Sequence, residues 1–109
     1  MKRYAFALDL VDDPSLIQEY EKYYREVWPE IKDSIRSAGV LGMEIYRFGN
    51  RLFMLMEVDE SFSFDRKAQM DAENNKVQEW EALMWKYQQA ISGAKAGEKW
   101  VLMDKIFEL

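Results

Sequence analysis

The chain has 109 residues with 15 basic and 20 acidic side chains, a net of −5, enough to bury one core, so a single domain over residues 1–109 is expected. It contains no cysteine and no histidine, which removes disulfides, thiolate chemistry, sulfur-bound metals and the usual proton shuttle of neutral pH. The acidic balance argues against nucleic acid as a partner, and neither an apolar run of the ~20 residues a membrane span needs nor a secretion signal is visible, so a cytoplasmic location without membrane contact is expected.

In chain order, residues 3–11, "RYAFALDLV", alternate with Tyr4, Phe6, Leu8 and Leu10 on one side, the period of a strand. Asp12, Asp13 and Pro14 are a helix start. From there to about residue 38, Leu16, Tyr20, Tyr24, Val27, Ile31 and Ile35 share one face of a long helix, kinked at Pro29 and closed by Gly39. "MEIYRFGNRLFMLMEVD" reads as two strands with a tight turn at Gly49 and Asn50. Residues 60–92 are helix-rich, with Ser61 or Ser63 as a cap, a weak spot at residues 73–75, and an apolar face of Val77, Trp80, Met84, Tyr87 and Ile91. "KWVLMDKIFEL" predicts a last strand.

The order strand, helix, strand, strand, helix, strand is the ferredoxin-like α+β pattern, a four-stranded antiparallel sheet with helices on one face. "RLFMLMEV" is apolar on both faces, so the uncovered side of that sheet is a large apolar patch, and a homodimer that buries it is expected.

One helical turn separates Tyr20 from Tyr24 and another separates Tyr24 from Trp28, so a continuous helix sets the three rings in a row. Such rows are more often packing than function. Trp80, Glu81, Met84 and Trp85 set indoles beside a carboxylate, and Glu44 and Arg47 place polar groups among the apolar positions of a strand. Rings that pack on C–H faces, next to hydroxyls and carboxylates, outline a site for a neutral polyhydroxylated ligand, a monosaccharide.

These residues also carry a resemblance. "EYEKYYREVWPEI", "GMEIYRFGNRLFMLMEVDESFSF" and "VQEWEALMWKY" resemble the L-rhamnose mutarotase family, including its fucose-specific members, over nearly the whole chain. The resemblance implies a dimeric ferredoxin-like α/β barrel that interconverts the α and β anomers of a deoxy-hexopyranose by general acid and base catalysis, with no cofactor. By the same resemblance Tyr20 takes the place of a substrate-binding tyrosine, Tyr24 that of the catalytic histidine, Met43 that of a second tyrosine, and Trp80 with Glu81 that of paired tryptophans. Tyr24 is then the expected acid, with Tyr20, Trp28, Met43, Glu44, Trp80 and Glu81 around the sugar, and Glu44, Glu81 or Glu26 as the base. A tyrosine with an ordinary pKa near 10 donates a proton at neutral pH but is seldom ionised to take one. A relative that binds sugar without turnover, or a small-ligand-binding module of the same fold, therefore stands beside the enzyme reading.

Overall fold

The first strand organises everything that follows. In the computed structural model, which describes residues 1–109, β1 (Lys2–Leu10) turns Phe6, Leu8 and Leu10 into the core. Asp13 caps α1 (Pro14–Arg25) through its carboxylate, which accepts from the Ser15 amide at 2.9 Å and the Leu16 amide at 3.3 Å.

The single helix expected over residues 14–38 is two helices, α1 and α2 (Pro29–Ser37). Pro29 has no amide hydrogen to continue the ladder and forces the residue before it toward extended backbone, so Trp28 leaves helical geometry at φ −55°, ψ 137°. As the first residue of a new helix the same proline costs nothing, because that amide has no partner there anyway. Arg66 then closes α2 from outside, its guanidinium donating to the Ser37 and Ala38 carbonyls at 3.2 Å each.

β2 (Val40–Phe48) and β3 (Arg51–Val58) form the expected hairpin, with Gly49 at φ 60° in its two-residue turn. Ser63 caps α3 (Phe64–Glu73) and Asn74 caps α4 (Asn75–Trp85), so the weak spot in the second helical region is a true break. α4 stops before Tyr87 and Ile91, which are not on its apolar face. The chain instead adds β4 (Gln88–Gln89) beside Asp9 and Leu10, leaves the sheet, and returns as β5 (Val101–Leu102) beside Ala7 and Phe6. The long last strand expected over residues 99–109 is thus two residues of pairing and one further bond, from the Met103 amide to the Ala5 carbonyl at 2.8 Å. Nothing in the periodicity of "KWVLMDKIFEL" distinguishes a paired strand from the exposed tail that carries Ile106, Phe107 and Leu109.

The sheet order β2-β3-β1-β4, with β5 also on β1, is the ferredoxin-like α+β topology, its fourth position split into two short pieces. Register decides the faces. Leu8 pairs with Leu52, Phe6 with Met54, and Met43 with Met56, all under the helices. The other face carries Ala5, Ala7, Leu55, Phe53, Tyr46 and Glu44 in its middle, between an Arg3–Glu57 ion pair at 3.3 Å and an end row where Phe48 lies opposite Arg51, which pairs with Asp9. Beneath the helices the core divides into two clusters. Leu8, Leu10, Tyr20, Leu52, Trp80 and Met84 belong to one, Phe6, Val40, Met54, Met56 and Val58 to the other, and Ile35, Ile45 and Trp100 touch both.

Gly39 joins α2 to β2 at φ 99°, where a Cβ would sit 2.6 Å from Asp59 Oδ1 and 2.8 Å from Ser61 Oγ. Gly39→Ala is expected to lower stability by about 1–3 kcal/mol, from the left-handed backbone and the displaced Asp59–Ser61 turn. Chemical denaturation measures it, and an unchanged midpoint would remove this account of the α2–β2 corner.

Candidate active site

Between the two core clusters, under α1, α2 and α4, runs a cleft of about 1020 Å³. It exists because the helical layer is interrupted at residues 26–28, so α1 and α2 do not close over the sheet as one rod. Its floor is sheet, with Met43, Met54 and Met56 joined by Met84 from α4, a surface of flexible thioethers. Tyr20, Tyr24, Trp80, Glu81 and Gln88 line it from the polar side.

Two phenols face the cleft from α1. Tyr20 and Tyr24 sit one turn apart on α1 with ring centroids 5.0 Å from each other, and the Trp80 ring meets Tyr24 edge-on at 5.6 Å. Tyr20 is 2% exposed and its oxygen accepts from Gln88 Nε2 at 3.0 Å. Gln88 is held there by its pairing with Leu10, and its Oε1 is buried with no partner. Burial pushes the Tyr20 phenol well above its ordinary range, the neighbouring Tyr24 pushes the same way, and the Gln88 hydrogen bond opposes them. Burial also raises Tyr24, with the nearby Tyr20 and Trp80 side chains opposing it. Both groups therefore carry their protons at neutral pH.

Three carboxylates line the cleft, and two are engaged. Glu21 pairs with Arg47, whose Nη1 also donates to the Gly49 carbonyl at 2.8 Å, and Asp71 pairs with Lys67 at 2.6 Å. Glu81 has no ion-pair partner. Lys99 enters from the loop after β4, its ammonium 3.3 Å from the Glu81 carbonyl and 5.2 Å from the centre of the Trp85 ring. No cluster of three or more Asp, Glu, His or Cys side chains placed to hold a metal occurs in the chain.

Of the residues singled out from the sequence, Tyr20, Tyr24, Met43, Trp80 and Glu81 come together in the cleft. Two do not. Glu44 pairs with Leu55 on the opposite sheet face, where the Tyr46 hydroxyl donates to it and is raised in pKa as a result. Adjacent strand residues point to opposite faces, so Met43 in the cleft sends Glu44 out of it. Trp28 lies behind the site: its ring packs against Trp80 at 5.1 Å with the Lys76 ammonium 5.8 Å away, so it supports the indole that faces the ligand space. Glu26, the third carboxylate considered as a base, is exposed and not part of the lining. Gln88, Lys99 and Trp100 escaped sequence reasoning. A two-residue strand leaves no periodic signal, and Trp100 belongs to a segment whose pairing is equally short.

Comparison with known proteins gives a consistent result. The family model described as L-rhamnose mutarotase matches residues 3–109. An L-fucose mutarotase of Xanthomonas campestris pv. campestris is 47% identical over 111 residues, covering 100% of this chain and 89% of its own. Among solved structures, an L-rhamnose mutarotase from Formosa agariphila superposes with a TM-score of 0.74 at 21% identity, covering 100% of this chain and 99% of its own. A tetracenomycin F2 cyclase from Streptomyces glaucescens reaches 0.71 at 17% identity, with 100% and 97% covered, so the fold also hosts unrelated chemistry.

The buried phenols have a measurable consequence. A tyrosine whose pKa is raised in the folded state keeps its proton there while the unfolded chain releases it, so its stabilising effect is complete below about pH 10 and is lost as pH rises beyond that, at about 1.4 kcal/mol per pH unit for each such group. The urea midpoint is expected to hold from pH 7 to 9 and drop above pH 10, less steeply in Tyr24→Phe. A flat profile to pH 11 would contradict the burial of these hydroxyls.

Proposed function

The chain belongs to the L-rhamnose mutarotase family, and on that premise we propose that it interconverts the α and β anomers of a deoxy-L-hexose, L-fucose ahead of L-rhamnose. The observation that carries the reading is the family match over residues 3–109, and the Tyr24 hydroxyl, which lines the cleft and which burial keeps protonated, supports it as the candidate acid. The order of the two sugars rests on the 47% identity to the fucose enzyme.

Ring opening transfers one proton to the ring oxygen and removes one from the anomeric hydroxyl, so the bond between that carbon and the ring oxygen breaks as a carbonyl forms. Closure on the other face of the carbonyl reverses both transfers and yields the second anomer. Tyr24 serves as the acid, and Glu81, the one lining carboxylate outside an ion pair, serves as the base. Trp80 offers an apolar face for the sugar's C–H groups, Tyr20 anchors Tyr24, and the floor methionines receive the methyl group. No redox or group-transfer step is involved.

Saturation-transfer NMR of L-fucose and L-rhamnose measures the exchange directly. The protein is expected to accelerate it over buffer, Tyr24→Phe and Glu81→Gln to slow it on the order of 10²-fold or more, and Tyr24→His to match or exceed the natural chain. No acceleration by the natural chain, with protein resonances still shifting as sugar is added, would favour a binding module.

We further propose that a second copy covers the open sheet face. Phe53, Phe48 and Tyr46 are exposed on it at 36%, 88% and 53%, an aromatic surface whose one central carboxylate, Glu44, accepts from Tyr46, with the Arg3–Glu57 and Arg51–Asp9 pairs at its ends. Light scattering is expected to give about twice the chain mass of 13.0 kDa, and Phe53→Glu to halve it. A monomer at micromolar concentration would reject this assembly.

A further inference from the structure

We propose that the sugar this cleft is built for carries a negative charge, a sulfate, phosphate or carboxylate group on a reducing sugar, and that unpaired cations of the lining hold that group. The inference rests on the anomer-exchange reading above and names the class of sugar on which it acts.

The charge of the lining runs against the charge of the chain. Six of the 15 basic side chains line the cleft but only three of the 20 acidic ones, so the lining carries a net of +3 while the rest of the chain carries −8. Two of those cations are engaged, Arg47 with Glu21 and Lys67 with Asp71. Arg25, Lys32, Arg36 and Lys99 remain, against Glu81 alone. Arg25, Lys32 and Lys99 have no carboxylate partner. Arg36 reaches Asp33 only at 4.0 Å, with the two side chains 72% and 79% exposed, a pair of little worth.

Helix phase accounts for the asymmetry. In "PEIKDSIRS" of α2, Lys32 and Arg36 stand one turn apart beside the core residues Ile31 and Ile35, and all four line the cleft. Glu30 and Asp33, on the same helix, do not, so α2 turns its cations toward the cleft and its carboxylates away. Arg25 ends α1 at the joint where α2 begins. Like charges gathered around one cleft repel each other and raise the local concentration of an oppositely charged ligand. A neutral deoxyhexose makes no use of them. Nor does it fill the space: about 1020 Å³ matches clefts that hold drug-sized ligands, roughly 300–1,000 Å³, and leaves room for a substituent on the ring. Tyr24 and Glu81 keep their roles at the anomeric carbon, and the cations act on the substituent.

Saturation-transfer NMR at subsaturating sugar reads kcat/KM, with each rate taken over that sugar's own exchange in buffer. L-Fucose, L-fucose 4-sulfate and L-galacturonate, whose carboxylate replaces the methyl group, form the series. At about 0.01 M salt at least one anion is expected to exceed L-fucose on the order of 10-fold, the sulfate if the charge sits on a ring hydroxyl and the galacturonate if it replaces the methyl group. Raising the salt to about 0.15 M shortens the Debye length from about 30 Å to about 8 Å and is expected to remove most of that preference while L-fucose is unchanged. The double variant Lys32→Glu, Arg36→Glu is expected to abolish the preference and keep L-fucose within about twofold. L-Fucose exchanged as fast as both anions, or a preference that survives salt and charge reversal, would overturn the inference and leave anomer exchange standing. A natural chain that accelerates none of the three would overturn both. The salt series needs only the natural chain, so it decides the matter even where the double variant fails to fold.

Discussion

One missing hydrogen shapes this molecule. Pro29 has no amide N–H, so the helix that begins at Asp13 cannot run through to Gly39, and residues 26–28 become a joint between two shorter helices. Had the helix continued, its apolar face would lie as one ridge along the sheet and the two core clusters would meet beneath it. Instead α1 carries Tyr20 and Tyr24 to one side of the gap, and α2 returns to cover β2 with Ile31 and Ile35. Even the supporting role of Trp28 follows, since the joint takes it off the Tyr20–Tyr24 line and turns it against Trp80.

Inside the gap, the constraint changes from sterics to proton transfer. A phenol is a poor base at neutral pH and burial makes it poorer, so the acid role proposed for Tyr24 calls for a separate group to accept the proton. The cleft offers one. Glu21 and Asp71 are neutralised by Arg47 and Lys67, which leaves Glu81 as the free carboxylate among the lining groups, on the helix that also delivers Trp80.

Much of this was legible in the chain. Alternation in "RYAFALDLV", the Gly49–Asn50 turn and the order of apolar periods led to the right topology, because each is a local signal repeated over many residues. The misreadings share a physical origin in pairings too short or too ambiguous to leave a pattern. A period of two separates the faces of β2 but does not say which one is covered, and that is why Glu44 was assigned to the side that belongs to Met43. The proline announced an irregularity without saying whether the helix bends or ends, and Trp28 belonged to the tyrosine row only if it bends. Gln88 was invisible because its position depends on two residues of pairing with β1.

The methionine floor has a consequence for selectivity. Met43, Met54, Met56 and Met84 bring unbranched chains with several easily turned bonds, so that side of the cleft takes the shape of whatever lies on it. A compliant surface discriminates poorly between sugars that differ in the handedness of one hydroxyl. Stereochemical choice then belongs to the opposite wall, where two phenols, an indole and a carboxylate stand at fixed angles. The cleft is built like a mould with one soft half, permissive about bulk and strict about where hydrogen bonds fall.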